Sequence, residues 1–180
     1  MKRSMRLKQF VMCCVTFSAL ACAPPASANG EKHSSQLAAR FAQEFYAWYM
    51  PVVVDGQVIP AWKAALEKRS EAFSPELAAA LKSDVDAQEK VTGEIVGLDF
   101  DPFLFSQDPC ERYDVGKIIA HGSRYRVAVH RVCDGSKSED PDVIAEVARQ
   151  DGEWVFVNFH YPQGKDLVTT LKLLKDSRSK

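Results

Sequence analysis

The spacing of apolar residues changes along this chain, from a helical period in the first half to alternation in the second. The first helical pattern can take Ser34 or Ser35 as its cap, and Pro51 is expected to end it. Its apolar positions form a stripe wide enough for a mostly buried helix: Leu37, Ala38, Phe41, Ala42, Phe45, Tyr46, Trp48 and Tyr49. The density of aromatic residues favours packing in a core over a cage for a ligand.

Two further helices are predicted before residue 90. Residues 52–59 form a short apolar segment that Asp55-Gly56 interrupts, as in a turn or a small hairpin. A second helix begins near Pro60 and directs three large side chains inward: Trp62, Leu66 and Phe73. Ser74-Pro75-Glu76 is typical of a helix start, since it combines a cap, a first-turn proline and an acid. The third helix then has one apolar face: Leu77, Leu81 and Val85.

The second half of the chain shows the alternation of strands that have one buried face. Residues 115–120 form the first strand candidate, and His121-Gly122-Ser123 is typical of a hairpin turn. In the strand that follows, apolar Tyr125, Val127 and Val129 alternate with polar Arg124, Arg126 and His130.

The pattern continues to the end of the chain. Residues 134–142 form a polar loop, after which Val143, Ala145 and Val147 alternate with their neighbours. Asp151-Gly152 predicts a hairpin turn before the most hydrophobic strand, residues 153–161. A short last helix places Leu167, Leu171 and Leu174 on one face, and residues 175–180 are predicted to fray. Helices followed by an antiparallel meander predict an α+β fold.

The N-terminal segment has the features of a secretory signal peptide. Four basic residues precede an apolar stretch at residues 10–22, which is too short for a permanent membrane anchor: Lys2, Arg3, Arg6 and Lys8. Ala26-Ser27-Ala28 has the small residues that a signal peptidase recognises, so residues 1–28 are predicted to be removed. We expect the mature domain to be soluble, periplasmic and without a membrane span.

An alternative processing site competes with this one. The segment ending in Cys22 resembles a lipobox, and lipidation of Cys22 would anchor the protein at the periplasmic face of a membrane. In the best lipoboxes Leu lies three residues before the cysteine, whereas Leu20 lies two before it. The sequence therefore favours cleavage after Ala28, with lipidation of Cys22 as the alternative.

Length and charge restrict the mature domain. Residues 29–180 suffice for a single domain, with an ordered core at about 34–175. The chain has 23 basic and 24 acidic residues; without the four basic residues of the signal, 19 remain against 24, about −5. A mildly acidic domain without a basic stripe argues against nucleic acid or an anionic membrane as its partner.

Two cysteines, Cys110 and Cys133, remain after signal cleavage. Two thiols in an oxidising compartment are expected to form a disulfide. Closing a loop of this length is worth ~3 kcal/mol in the chain-entropy model. The alternative, a nucleophilic thiolate, requires an unpaired cysteine with a histidine partner.

An acidic segment precedes the first strand: Asp99, Asp101, Asp108, Glu111 and Asp114. These carboxylates could bind Ca²⁺ or supply an acid–base pair. Pro102 and Pro109 instead favour successive turns in which Asp side chains accept backbone N–H groups. Residues 134–142 also alternate oxygen-bearing side chains, but Glu139 and Ala145 occupy the positions where a calcium loop needs Gly and Glu. No metal site is predicted.

The histidines of the mature chain form no ligand pair at helical spacing: His33, His121, His130 and His160. No nucleophile elbow, phosphate loop or dinucleotide fingerprint occurs in the sequence. The sequence therefore predicts no cofactor.

Two stretches resemble known families. Asp151-Gly152-Glu153-Trp154 and the apolar residues after it resemble the last strand of nuclear-transport-factor-2-like (cystatin-like) domains. The run 98–104, with Gln107-Asp108 and the aromatic residues at 45–49, resembles a bacterial family of exported proteins of unknown function. That family has Asn-Ala where this chain has Phe105-Ser106. The resemblance implies helices packed in the concave side of a curved antiparallel sheet, and it implies no chemistry.

The leading functional hypothesis is a non-catalytic module that binds a protein or a small molecule, with an immunity or scaffold role among the possibilities. Its groove would lie between the first helix and the sheet, lined by Tyr46, Tyr49, Trp62 and His160, with Asp99 and Asp101 as further candidates. The alternative is a small hydrolase or isomerase, in which Asp99 or Asp101 acts with His130 or His160. Such an enzyme needs the histidine and the carboxylate to converge in an enclosed pocket.

Overall fold

The computed structural model describes residues 28–55 and 59–179, so the predicted signal peptide before Ala28, including Cys22, lies outside the described residues. The α-helices of this part are α1 (Ala28–Val54), α2 (Ala61–Lys68), α3 (Pro75–Gln88) and α4 (Leu167–Arg178). The strands are β1 (Arg112–His121), β2 (Arg124–Cys133), β3 (Ser136–Lys137), β4 (Val143–Gln150) and β5 (Glu153–His160). The α+β prediction is confirmed.

Helix α1 is longer at both ends than its sequence pattern predicts. It begins at Ala28 rather than at a Ser34 or Ser35 cap, and the Ser35 hydroxyl donates to the carbonyl of Lys32. Pro51 lies inside the helix, which continues for one more turn to Val54. A proline removes one N–H from the ladder, and a single final turn tolerates that loss. The predicted hairpin at residues 52–59 is therefore wrong at its first three residues, and Gly56 lies outside the described residues.

The second and third helices follow their predicted starts. Trp62 is buried on α2, and Phe73 is buried in an extended segment after a short 3₁₀ turn, Ser70–Ala72. The Ser74 hydroxyl oxygen accepts from the N–H of Leu77 at 3.2 Å and caps α3. The Ser74 N–H donates to the carbonyl of Phe156 at 2.8 Å, which attaches the start of α3 to the edge of β5.

The sheet is antiparallel and open, with strand order β1–β2–β4–β5 and β3 beside the end of β2. Val127 pairs with Ala145, and Ala145 pairs with Phe159; all three are buried on the inner face, which packs against α1. The next row has Arg126, Glu146 and Asn158 on the outer face, which turns away from α1. The first strand begins earlier than predicted, and the predicted polar loop at 134–142 contains β3.

The inner core is aromatic. The rings of Phe45, Phe73, Phe103 and Phe156 lie 4.8–6.0 Å apart, in edge and stacked arrangements. Such pairs add to the free energy gained from their buried area. The stripe on α1 therefore serves the core, and Tyr46 and Tyr49 are buried within it.

The C-terminal end of the chain is anchored rather than frayed. Helix α4 extends to Arg178, and the guanidinium of Arg178 lies 2.6 Å from a carboxylate oxygen of Asp84 and 2.7 Å from the carbonyl of Val96. Asp84 is only 1% exposed and also accepts from the N–H of Leu98 at 2.9 Å. The prediction of a frayed tail is wrong at residues 175–178, because Arg178 joins α4, α3 and residues 96–98, and Lys180 lies outside the described residues.

The predicted disulfide between Cys110 and Cys133 is confirmed, with the two Cα atoms 5.1 Å apart. That separation lies within the range for unstrained bridges. The bond links the segment just before β1 to the last residue of β2, so residue 110 cannot move away from the sheet.

Candidate functional site

Residues 98–107, called here the 98–107 loop, are held in place by the carboxylate of Asp101. One oxygen accepts from the N–H groups of Phe103 at 2.9 Å and Leu104 at 3.2 Å. The other oxygen accepts from the hydroxyl of Tyr49 at 2.5 Å. This is the turn-forming role that the acidic segment was expected to have, and it leaves the carboxylate with no oxygen free of an intramolecular donor.

Two more tyrosines bind the backbone of the same loop. The hydroxyl of Tyr46 donates to the carbonyl of Phe103 at 2.8 Å, and that of Tyr161 donates to the carbonyl of Pro102 at 2.9 Å. Burial raises the pKa of both hydroxyls, so they stay protonated donors. Together with Tyr49, these contacts pin the loop to α1 and to the residue after β5.

Burial also affects Asp101 itself. Desolvation raises the pKa of its carboxyl to about 6, while the hydrogen bonds from Tyr49, Phe103 and Leu104 lower the pKa and offset part of that rise. Burial, and after it the nearby Asp101 carboxylate, raises the pKa of Tyr49 in turn. Asp101 is therefore a structural group whose charged form is costly to bury.

The 98–107 loop brings the rings of Phe100 and Phe105 to the surface beside the buried ring of Tyr161. Phe105 is 38% exposed and stacks on Tyr161 with ring centres 4.4 Å apart, and Phe100 meets both rings edge-on. The φ angle of Phe105 is +50°, a left-handed conformation that is unfavourable for a bulky side chain. Asn, expected here from the family resemblance, adopts this conformation more readily. The Phe at this position is thus unfavourable for the backbone and partly open to solvent.

Two grooves lie beside the rings of Phe100, Phe105 and Tyr161, and Phe100 lines both grooves. The first, called here the Trp62 groove, has a volume of about 490 Å³. Its lining includes the end of α1, the start of α2 and the loop: Val52, Val53, Ile59, Pro60, Trp62, Asp99, Asp101 and Gln107. The second, called here the Tyr161 groove, also has about 490 Å³ and is lined mainly by apolar atoms of Phe105, Tyr161, Leu173 and Leu174.

The structure brings only part of the predicted site together. Trp62, Asp99 and Asp101 line the Trp62 groove. Tyr46 and Tyr49 are 0% exposed and do not line it, because their hydroxyls are used to hold the 98–107 loop. His160 follows the inward-facing Phe159 and therefore lies on the outer face of the sheet, away from the groove.

The proposed pairing of a histidine with Asp99 or Asp101 is not found. Nε2 of His160 lies 2.9 Å from a carboxylate oxygen of Glu146, and Nδ1 of His130 lies 3.0 Å from the carbonyl of Ser138. Within residues 28–55 and 59–179, no histidine lines the Trp62 groove. The histidine and carboxylate that do converge, His160 and Glu146, lie on a sheet face instead of in that groove.

Sequence reasoning missed Glu146. It is the one residue of β4 that is both charged and buried, at 5% exposed. In the sequence Glu146 lies between Ala145 and Val147, which is the pattern of a polar residue on the solvent-facing side of a strand. A glutamate flanked in the strand by small and branched apolar residues was the only available signal.

The other acidic residues are dispersed. The backbone N–H of Asp108 donates to the Ser106 hydroxyl, Glu111 accepts from the N–H of Gly135, and Asp114 pairs with Arg112. In the part of the chain that the structure describes, no group of three His, Cys, Asp or Glu side chains could hold a metal ion. Of the turn-forming carboxylates expected, the hydrogen bonds bear out that role for Asp101.

No family model and no curated protein sequence matches the chain. Among solved structures, a chain in the crystal structure of the type VI native effector–immunity complex Tae3–Tai3 from Ralstonia pickettii is similar to it. The TM-score is 0.47 and the sequence identity is 19%, over 68% of this chain and 93% of that chain. At this degree of similarity, the function of the chain has to be argued from its own residues.

None of the helices in the described ranges is both long and apolar enough to span a membrane.

Proposed function

We propose that this chain is an exported, non-catalytic interaction module that binds a protein partner through the 98–107 loop and its two grooves. The observation that carries the proposal is Phe105, a large aromatic residue that is exposed on a rigid loop in an unfavourable backbone conformation. Backbone strain of this kind clusters at functional sites, where a gain in function offsets its cost.

The anchoring of the loop supports a role in binding. The hydroxyls of Tyr46 and Tyr161 donate to backbone carbonyls of the loop, the Asp101 carboxylate accepts from its backbone N–H groups, and the Tyr49 hydroxyl donates to that carboxylate. A surface that is already ordered loses little conformational entropy when a partner binds. Aromatic side chains such as Phe100 and Phe105, beside apolar grooves, are typical anchors of protein interfaces.

The composition of the grooves supports binding over catalysis. Asp101 uses both carboxylate oxygens in intramolecular hydrogen bonds, so neither oxygen is free of a donor that holds the loop. The free carboxylate of Asp99 has no histidine beside it in the groove that it lines. A general acid–base pair needs two such groups within hydrogen-bond reach or bridged by one water.

Export is supported by two separate features. The basic N-terminal residues, the apolar stretch and Ala26-Ser27-Ala28 are typical of a cleaved signal peptide. The Cys110–Cys133 disulfide is typical of proteins in oxidising compartments such as the periplasm. Intact-mass analysis of the exported protein distinguishes a chain that starts at Asn29 from one that starts at lipidated Cys22.

The binding proposal is tested by affinity capture from periplasmic extract with three proteins: the wild type, Phe105→Asn and Val91→Asn. Val91 is 37% exposed just after α3, close to the 38% of Phe105, and serves as the matched control because the same apolar-to-Asn change occurs outside the loop. We expect a protein retained by the wild type and by the control but lost with Phe105→Asn. Equal retention by all three proteins would contradict the assignment of the surface, and a small molecule without a protein would contradict the class of partner.

A further inference from the structure

The outer face of the sheet carries a second cluster of polar side chains, centred on Glu146. Its carboxylate lies 2.9 Å from Nε2 of His160, 3.7 Å from the guanidinium of Arg124 and 3.8 Å from Nδ1 of His121. Glu146 is only 5% exposed on this face. A charged group in this position requires nearby cations or donors.

Arg126 stands directly opposite Glu146 in the register of β2 and β4. Its Nε is buried and has no hydrogen-bond partner, and its guanidinium forms no ion pair within the described part of the chain. Buried donors without an acceptor are rare in folded proteins, and each one requires an explanation. A ligand that supplies an acceptor would meet the terminal nitrogens of the Arg126 guanidinium rather than the buried Nε.

The balance of charge identifies that acceptor. Arg124 and Arg126 provide two guanidinium groups on this face. Glu146 already contacts His160 and Arg124, and the nearby Asp166 accepts from Asn158 and from the first turn of α4, so within the described residues Arg126 has no carboxylate partner. A guanidinium matches the two oxygens of a carboxylate in a bidentate pair. We propose that Arg124, Arg126 and His121 form a carboxylate-binding site on the outer face, which accepts an acidic side chain of a protein partner.

The shape of the site favours a side chain over a free small anion. The side chains of Arg124 and His121 are 49% and 59% exposed, so the cluster opens to solvent along a strand face. Sites for free small molecules are usually concave and bury most of the ligand. An acidic side chain brings the surrounding surface of its own protein, which covers the rim that this chain leaves open.

The charge of the whole chain makes this face selective. Without the predicted signal peptide the chain has 19 basic and 24 acidic residues, a formal net charge of about −5, so its average surface does not attract acidic partners. Charged pairs across an interface set orientation and suppress wrong partners. This site lies on the opposite side of the sheet from α1 and the 98–107 loop, so it is a surface additional to that of the proposed function and can be tested separately.

The experiment is a ¹⁵N NMR titration of the mature domain at low salt, with resonances of the arginine Nε–Hε groups and of the backbone. The probe is a synthetic Ser-Glu-Ser-Glu-Ser-Glu peptide; the comparison probes are the same peptide with Gln for Glu, and inorganic phosphate. We expect the acidic peptide to shift the Nε–Hε signal of Arg126 and the backbone signals of β2 and β4. The Arg126→Gln variant is expected to bind this peptide about tenfold more weakly or worse, because charge-assisted hydrogen bonds are lost.

Arg40→Gln is the matched control, because Arg40 is exposed on α1 and the change in charge is the same. Arg124→Gln is the second variant if Arg126→Gln does not keep the wild-type backbone spectrum. The proposal is overturned if the acidic peptide leaves the Arg126 signal unmoved, if the Gln peptide acts equally, or if Arg40→Gln weakens binding as much. An equal response to phosphate would also overturn it, since the site would then select a free oxyanion.

Discussion

The surroundings of two carboxylates of this protein, Asp101 and Glu146, differ in one decisive respect. Asp101 is surrounded by backbone N–H groups and one tyrosine hydroxyl, and each of its oxygens has a partner. Glu146 is surrounded by the side chains of histidines and arginines, and one neighbouring donor, Nε of Arg126, has no acceptor. The backbone N–H groups that bind Asp101 make this carboxylate part of the fold. Beside Glu146, in contrast, the guanidinium of Arg126 has no acceptor, so this group is available to bind a ligand.

The largest expected effect is at Asp101. Asp101→Ala removes the acceptor of two backbone N–H groups and of the Tyr49 hydroxyl, so we expect a loss of about 3 kcal/mol in the free energy of unfolding. At pH 4, where the folded protein keeps this carboxyl protonated, Asp101→Asn retains one oxygen as an acceptor and should cost less than about 1 kcal/mol. Urea denaturation of the two variants at pH 4 measures the difference. Equal losses would mean that the remaining oxygen acceptor does not hold the loop.

The second prediction concerns pH. The pKa of Asp101 is raised to about 6 in the folded protein, above its value of 3.8 in the unfolded chain. Its contribution to stability is therefore full below pH 4 and is lost as the pH rises through 6, by roughly 2–3 kcal/mol. The difference in unfolding free energy between the wild type and Asp101→Asn, measured from pH 4 to pH 7, isolates this group from the other acids. A constant difference would show that burial does not raise the pKa of this carboxyl.

A third, smaller effect is expected at Glu146. Glu146→Gln keeps an oxygen for His160 but removes the negative charge near Arg124, so the unfolding free energy should fall by about 1 kcal/mol. Glu153→Gln, on the exposed start of β5, is the matched control and should change stability by less than about 0.5 kcal/mol. If the two substitutions have the same effect, Glu146 is not coupled to its cationic neighbours.

The smallest effect on stability is expected at Phe105. Asn tolerates the left-handed backbone at this position, which offsets the loss of ring contact with Tyr161, so Phe105→Asn should leave the unfolding free energy within about 0.5 kcal/mol of the wild type. Thermal melts check this expectation. A large loss of stability would make Phe105 a packing residue and would weaken the argument that it faces a partner.

The sequence predicted the elements that depend on neighbouring residues. The Ser74 cap of α3, the Asp151-Gly152 turn and the alternation in β2 are all local signals, and the structure contains each of them. What the sequence did not predict depends on residues far apart. Tyr49 and Asp101 are separated by 52 positions, and Arg178 and Asp84 by 94, so neither partner indicates the other in a local pattern.

The same distinction applies to the candidate site. Trp62, Asp99 and Asp101 were predicted and do share a groove, because all three flank turns that the chain brings to one end of the domain. Tyr46 and Tyr49 were predicted to line the groove. That prediction is wrong, because an aromatic stripe in the sequence does not show which groups the tyrosine hydroxyls will bind. Glu146 was overlooked because alternation alone does not separate a solvated outer position from one that neighbouring side chains cover.

Each end of the 98–107 loop is attached to the rest of the domain by contacts that do not involve the residues in the middle of the loop. Asp84 and Arg178 hold the residues just before the loop, and the disulfide at Cys110 holds the residues just after it. Phe105 lies between these two attachments and forms no part of either. A substitution at the exposed position 105 therefore leaves the contacts that attach both ends of the loop intact.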